Sequence, residues 1–338
     1  MLVINVILFT SLVTFLINFI SKKKQILLDK KFTPHKSFAT TKLIPISGGL
    51  IFLIACLFFL PNEKIEFKVF IFFVFMIGFL SDINYLVSPT KRFILQIIII
   101  LAFLFLSQNF INSVRLPIID VLIQNIYFKY FLTLFCFLVL INGANFIDGV
   151  NTLLLGYFLG VLAACLLVTK QFGNSLDIHI VSILIIILLV LFLFNFFGKL
   201  LSGDSGAYLI SFIIGNYLIY VSNLTISISP YFVACLLWYP AYECLFSIIR
   251  KKISKLSITD PDNRHLHQLI YMYLSKKFKL SGNTLNTITG TSINIFNFLI
   301  FYNALNNISQ TKNLVLILFI CLLVYNITYF YLNKILNR

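Results

Sequence analysis

A polar stretch, INGANFIDGVNTL (141–153), separates two long apolar runs of this chain. Asn142, Asn145 and Asp148 recur in it at i, i+3 and i+6, so on a helix they would line one side before Gly149 loosens the turn. A carboxylate and two amides on one face could hold a cation or a phosphate group. Which chemistry follows depends on the side chains that the rest of the chain brings to the same place.

Two further carboxylates stand at the ends of apolar runs. Asp82 lies in GFLSDINYLVSPTKRFILQ, and Asp204 lies in FNFFGKLLSGDSGAYL, where glycines allow close backbone approach. A charge at the bilayer centre costs about 2.5–3.5 kcal/mol, and less toward the interface, so acids in membrane segments are few and usually functional. Asp82, Asp148 and Asp204 at the same end of three spans predict one shared site. The alternative is three helix-end carboxylates hydrated by headgroup water.

The elements that must position these residues are membrane-spanning helices. The chain has 338 residues, of which 60% are hydrophobic and 11% are charged, and its mean hydropathy is +0.98. Apolar runs long enough to cross a bilayer recur along its length, so we expect an all-α polytopic membrane protein with about 11 transmembrane helices in a single domain, 1–338. The expected spans are 1–20, 44–60, 67–86, 91–107, 127–147, 150–169, 178–198, 205–221, 230–249, 285–308 and 313–333.

The basic residues predict the orientation of these spans. With the amino terminus outside, 20 of the 26 lysines and arginines fall in inner segments, which places the carboxyl terminus and the three acids on the cytoplasmic side. The net charge of +15 therefore reports topology and argues against a nucleic-acid partner.

The longest inner loop, 250–284, carries a histidine motif, DPDNRHLHQLIY. His265 and His267 are too close for the usual helical metal pair, so the motif favours phosphate or nucleotide contact over zinc. The residues after it mix apolar side chains with lysines, as expected of a helix lying in the membrane interface. Glu243, inside the preceding span, is better explained by pairing with another helix or by positioning this loop than by catalysis.

Taken in order, these stretches resemble the polyprenyl-phosphate N-acetylhexosamine-1-phosphate transferase family (glycosyltransferase family 4), in the branch that initiates O-antigen and capsule-type polysaccharides. IPISGGL (44–50) resembles P-x-x-GG-L, GFLSDINYLVSPTKRFILQ resembles GxxDDxxxLxxxxKxxxQ, NGANFIDGVNTL resembles NxxNxxDGxxGL, GKLLSGDSGAYL resembles the GDxGxxxLG stretch, PAYECLFSIIRK (240–251) resembles PxxExxFSxxRR and PDNRHLHQLIY resembles PDxxHxHHxL. The sequence departs from the family at Ser81, where the first Asp of a pair is usual, at Asn151 for a second Asp, and at Gln268 for a third His.

The resemblance implies transfer of a sugar 1-phosphate from a UDP-N-acetylhexosamine to undecaprenyl phosphate, with release of UMP, in the bacterial inner membrane. It implies Mg²⁺, with Mn²⁺ as the alternative ion, bound by Asp204 and Asp82, and a base that is either Asp82 or Asp148. The implied substrate contacts are Asn145, Lys91, Lys42, Asn195, His265, His267 and Arg264. Arg92 is a further candidate, but the positive-inside bias explains Arg92 and Lys42 equally well.

Two other readings stay open. The peptidoglycan-type phospho-MurNAc-pentapeptide transferase typically has a contiguous HHH where this chain has HLHQ, which makes that branch the second choice. A lipid-linked substrate transporter or flippase would place its site near the bilayer midplane between internal repeats, and no repeat is visible here. Membrane lipids surround the protein in either case, the family leaves room for a homodimer, and the sequence does not identify the sugar.

Overall fold

A computed structural model describes residues 2–28, 43–60, 64–255, 257 and 264–336. Over these ranges the chain forms thirteen α-helices and no β-strand, which confirms the all-α class. The helices are α1 (Leu2–Lys24), α2 (Gly48–Phe59), α3 (Ile65–Asp82), α4 (Pro89–Ser107), α5 (Pro117–Ile123), α6 (Ile126–Ile147), α7 (Leu153–Phe172), α8 (Ser175–Phe196), α9 (Gly203–Asn223), α10 (Pro230–Ile253), α11 (Leu266–Lys277), α12 (Gly282–Asn306) and α13 (Thr311–Leu336).

Each of the eleven expected spans falls on its own helix, and α5 and α11 are additional. Eight of the described helices are long and apolar enough to cross a membrane: α1, α4, α6, α7, α8, α9, α10 and α13. The apolar α2 is shorter, at 12 residues, while α3 carries three charged residues and α12 is rich in Asn and Thr. The chain is a multi-pass membrane protein, and the count of eleven spans and their orientation stay predictions.

Helix α9 forms the centre of the bundle. Sixteen of its 21 residues are buried, and it packs against α2, α3, α6 and α7. Its first turn is in backbone contact with two neighbours, because a Cβ added at Gly78 of α3 or at Gly49 of α2 would overlap the backbone at Ser205. These glycines let three helices meet where Asp204 begins α9.

Candidate active site

Asp82 and Asp204 are joined by a hydrogen bond at the N-terminal end of α9. Asp82, the last residue of α3, accepts a hydrogen bond from the Asp204 N–H on Oδ1 at 2.8 Å. Its Oδ2 accepts from the Ser205 N–H at 3.1 Å and from the Ser205 hydroxyl at 2.6 Å. A helix N-terminus has unpaired N–H groups and partial positive charge, so a carboxylate from another helix caps it well. Asp82 therefore fixes the start of α9 and brings negative charge beside Asp204.

Three other helices reach the Asp204 side chain. Arg92 of α4 donates to Oδ2 through Nη1 at 2.5 Å, and the Ser81 hydroxyl of α3 donates to the same oxygen at 2.7 Å. Asn145 of α6 donates to Oδ1 at 2.8 Å. Arg92 also donates to the Ser81 hydroxyl at 2.6 Å, so Ser81 links the cation to the carboxylate. Lys91, the neighbouring lysine, has an exposed side chain.

The polar stretch of α6 lies between Asp204 and the histidine motif. Asp148 is the C-cap residue of α6, one turn beyond Asn145, and is half-buried. The next residue, Gly149, packs so tightly against His267 that an added Cβ would overlap the imidazole ring. The Phe146 ring lies 5.1 Å from the His265 ring, between centroids. The end of α6 thus brings the acid cluster and the histidine motif to the same end of the bundle.

Glu243 of α10 binds the histidine motif through a hydrogen bond. Its Oε1 is 2.8 Å from His265 Nδ1, and its Oε2 accepts a hydrogen bond from the Tyr325 hydroxyl of α13 at 2.7 Å. Glu243 and Tyr325 are fully buried, so the expected pairing of Glu243 with another helix and with the loop is what the structure shows. Gln268, where the family usually has a third histidine, accepts the His265 N–H on Oε1 at 3.0 Å. A glutamine at this position caps the start of α11.

His267 is a buried neutral side chain in this structure. Its two ring nitrogens have no hydrogen-bond partner among the described residues, and its ring stacks on that of His265 with centroids 5.7 Å apart. Burial, with a smaller contribution from His265, lowers the pKa of His267 to about 3. Contact of His265 or His267 with donor phosphate stays a prediction.

The low pKa of His267 makes the stability of the protein depend on pH. Between pH 6.5 and about 3 the unfolded chain binds a proton on this histidine that the folded chain does not. We therefore expect the free energy of unfolding to fall by up to about 1.4 kcal/mol per pH unit below pH 6.5, and the melting temperature to fall with it. His267→Leu should flatten this dependence, measured by differential scanning fluorimetry in detergent between pH 5 and 8. The exposed His179, changed to glutamine, is the control; an equally steep profile in His267→Leu would contradict the assignment.

The remaining predicted substrate residues lie around this cluster. Asn195 is buried, and its amide joins two backbone segments: Oδ1 accepts the Thr152 N–H at 2.5 Å, and Nδ2 donates to the Leu200 carbonyl at 2.8 Å. This amide therefore joins the start of α7 to the loop before α9, and a contact with substrate stays a prediction. Arg264 is exposed next to His265, and Lys42 lies outside the described residues.

The donor atoms of the site suit a magnesium ion. Mg²⁺ takes oxygen ligands from one or two carboxylates and fills its other positions with water and substrate phosphates. Among the described residues, Asn145 is the one donor to Oδ1 of Asp204, which leaves a lone pair of this oxygen for a cation. The described part of the chain contains no cluster of three or more His, Cys, Asp or Glu side chains that could hold a metal. An ion here would therefore be shared with substrate phosphates.

The chain is similar to a known family of glycosyl transferases and to two bacterial transferases. The model of glycosyl transferase family 4 matches residues 65–222, which include Asp82, Arg92, Asn145, Asp148 and Asp204. A probable undecaprenyl-phosphate N-acetylglucosaminyl 1-phosphate transferase of Bacillus subtilis (strain 168) is 23% identical over 245 residues, 69% of this chain and 67% of that protein. The undecaprenyl-phosphate alpha-N-acetylglucosaminyl 1-phosphate transferase of Escherichia coli (strain K12) is 28% identical over 280 residues, 79% of this chain and 75% of that protein.

Proposed function

This chain belongs to glycosyl transferase family 4, and from that premise we propose that it transfers an N-acetylhexosamine 1-phosphate from a UDP-sugar to undecaprenyl phosphate. The observation that carries the proposal is the convergence of Asp82, Asp204 and Arg92 at one end of the bundle. Acids and a cation in contact suit a reaction between two phosphate-bearing substrates, because such a site must supply positive charge and hold it in place.

The proposed reaction balances as a phosphoryl transfer. An oxygen of undecaprenyl phosphate attacks the phosphorus that carries the sugar, forming a new pyrophosphate bond. The bond from that phosphorus to the bridging oxygen of the donor breaks, and UMP leaves with its electron pair. Both substrates are anions, so catalysis of this class depends mainly on positioning and on charge stabilisation.

Each residue of the cluster has a proposed task. Asp204, oriented by Asn145, and Asp82 would hold the Mg²⁺ ion, which when bound would offset the charge of the donor pyrophosphate. Arg92 supplies a fixed positive charge beside the Asp204 carboxylate. Asp82 already accepts three hydrogen bonds, which stabilise its charged form and make it a poor base. We therefore assign removal of a proton from the acceptor phosphate to Asp148.

The distribution of basic residues supports a cytoplasmic site. Asn18, near the inner end of α1, contacts the loop that leads to Asp204, so the last turn of α1, with its three lysines 22–24, lies at the same end as the site. The last turn of α10, which contains Arg250, lies there too. Lysines and arginines concentrate on the cytoplasmic side of membrane proteins, where UDP-sugars are made. We place the enzyme in a bacterial inner membrane, at the start of a cell-surface polysaccharide.

A transfer assay tests this function and separates it from the alternatives. Purified protein is mixed with undecaprenyl phosphate, Mg²⁺ and radiolabelled UDP-GlcNAc, and in parallel with UDP-GalNAc and UDP-MurNAc-pentapeptide. We expect labelled lipid from an N-acetylhexosamine donor, one UMP per lipid formed, and loss of both with EDTA. Labelled lipid from the pentapeptide donor alone would indicate the peptidoglycan-type enzyme. No lipid product from any donor would contradict the proposal and favour the transporter.

A further inference from the structure

The loop that leads into α9 is held by three other helices. Four successive backbone carbonyls of this loop each accept a hydrogen bond from outside it. The pairs are Lys199 with Asn18 Nδ2 at 3.2 Å, Leu200 with Asn195 Nδ2 at 2.8 Å, Leu201 with the Gly48 N–H at 3.0 Å and Ser202 with the Gly49 N–H at 3.2 Å. Asp204 follows two residues later, so these bonds determine where its backbone lies.

Asn18 is the member of this set that comes from the first helix. α1 turns a stripe of small and polar side chains toward the bundle, and most of its large apolar side chains are exposed. Asn18 uses both ends of its amide: Nδ2 donates to the Lys199 carbonyl, and Oδ1 accepts from the Ser47 hydroxyl at 2.7 Å. Ser47 is the N-cap residue of α2, but its side chain does not cap that helix. One amide therefore joins α1 to the segment before α2 and to the segment before α9.

The segment before α2 contacts Gly203, the residue that precedes Asp204. Gly203 has a φ of +72°, and a Cβ added there would overlap the Ile46 side chain and the Asp82 carboxylate. Ile46 also forms a backbone bridge with Leu201. A shift of the segment around Ser47 would thus be transmitted to Gly203 and to the Asp82–Asp204 contact.

We propose that Asn18 is a positioning residue for Asp204, acting through Ser47 and Lys199. An amide in an apolar span is costly to insert unless it is paired, and truncating it leaves a buried hydroxyl and a carbonyl without partners. Asn18 and Ser47 both lie outside residues 65–222, which the family model matches. The proposal rests on the transfer activity proposed above, and a readout that does not require activity keeps the two separable.

The test is a double-mutant cycle in the full-length protein. Asn18→Ala and Ser47→Ala are each expected to lower kcat about tenfold, because small displacements of catalytic groups are costly, with KM for the UDP-sugar changed less than about twofold. The double variant should be no slower than Asn18→Ala, since Asn18→Ala already removes the hydrogen bond that Ser47→Ala breaks. Thr14→Ala is the matched control: it lies on the same stripe of α1, but within the described part of the chain its hydroxyl bonds only to the Thr10 carbonyl of its own helix, at 2.7 Å. It should keep the wild-type kcat.

Hydrogen exchange measured by mass spectrometry supplies the second readout. Amides of residues 200–206 should exchange faster in Asn18→Ala than in wild type, and should be unchanged in Thr14→Ala. Wild-type kcat and unchanged exchange in Asn18→Ala would overturn the proposal, as would additive effects in the double variant. A lower melting temperature with wild-type kcat would also overturn it, because Asn18 would then stabilise the packing of α1 without affecting catalysis. If the wild-type protein transfers no sugar phosphate, the proposed function fails, while the exchange rates still decide the role of Asn18.

Discussion

Replacing Asp204 with asparagine is expected to lower kcat by about a thousandfold, the usual size of the loss when a group that stabilises transition-state charge is removed. The substitution keeps the size of the side chain but removes its charge. Arg92 then loses its ion-pair partner, and the proposed Mg²⁺ ion loses a ligand. Initial rates of lipid product formation at saturating donor, acceptor and Mg²⁺ measure the effect.

The stability of this variant should stay close to that of wild type. The side chains of Arg92 and Asp204 are 20% and 21% exposed, so water can solvate the arginine when its partner is neutral. Asp120→Asn is a matched control, because Asp120 lies in α5, which joins the far ends of α4 and α6. It should leave kcat unchanged. A kcat for Asp204→Asn within tenfold of wild type would contradict the placement of Asp204 at the reaction centre.

The sequence predicted the acids of the site because charge and amide groups are rare in apolar spans. Asp82, Asn145 and Asp204 stood out for that reason, and the structure joins them through hydrogen bonds. Arg92 could not be separated from topology, because catalysis and the positive-inside bias both predict a basic residue at the start of α4. Its 2.5 Å contact with Asp204 places Arg92 beside the acids, which the sequence could not do, and its role in catalysis stays a prediction.

Other parts of the site depend on contacts that spacing does not reveal. Tyr325 lies 82 residues beyond Glu243, and nothing in its local sequence indicates that it would donate to that carboxylate. Ser81 was recognised as the loss of a carboxylate, but its bridging of Arg92 and Asp204 required the packing of α3 against α4. Phosphate contact was predicted for His267 because it lies too close to His265 for the usual helical metal pair; that spacing did not reveal that the side chain is buried against Gly149.

The helices were predictable to the extent that apolar runs define them. Helix α11 (Leu266–Lys277) falls inside the loop 250–284, where an interfacial helix was expected, and its buried residues pack against α12 and α13. Its position relative to the membrane stays a prediction. Helix α5, with seven residues, is too short to show a hydrophobic period and was not foreseen.

Asp82→Asn is expected to lower both kcat and stability, which distinguishes it from Asp204→Asn. The carboxylate of Asp82 accepts three hydrogen bonds from the first turn of α9, and the amide nitrogen of an asparagine would face a donor instead of accepting from it. The helix N-terminus also loses its negative partner. Together these changes should cost about 2–3 kcal/mol of stability and lower the melting temperature by several degrees. The kcat should fall about a hundredfold, because α9 carries Asp204.

Ser205→Ala is the graded control for this prediction, because it removes one of the three hydrogen bonds and leaves the Asp82 charge in place. It should lower the melting temperature by less than half as much as Asp82→Asn and change kcat by only a few fold. Scanning fluorimetry and the transfer assay on the same preparations give both quantities. A normal melting temperature with low kcat in Asp82→Asn would mean that Asp82 acts at the metal alone and that the contacts of Gly49 and Gly78 suffice to hold α9. A normal kcat would remove Asp82 from the proposed metal site, because capping of α9 alone would then explain its contacts.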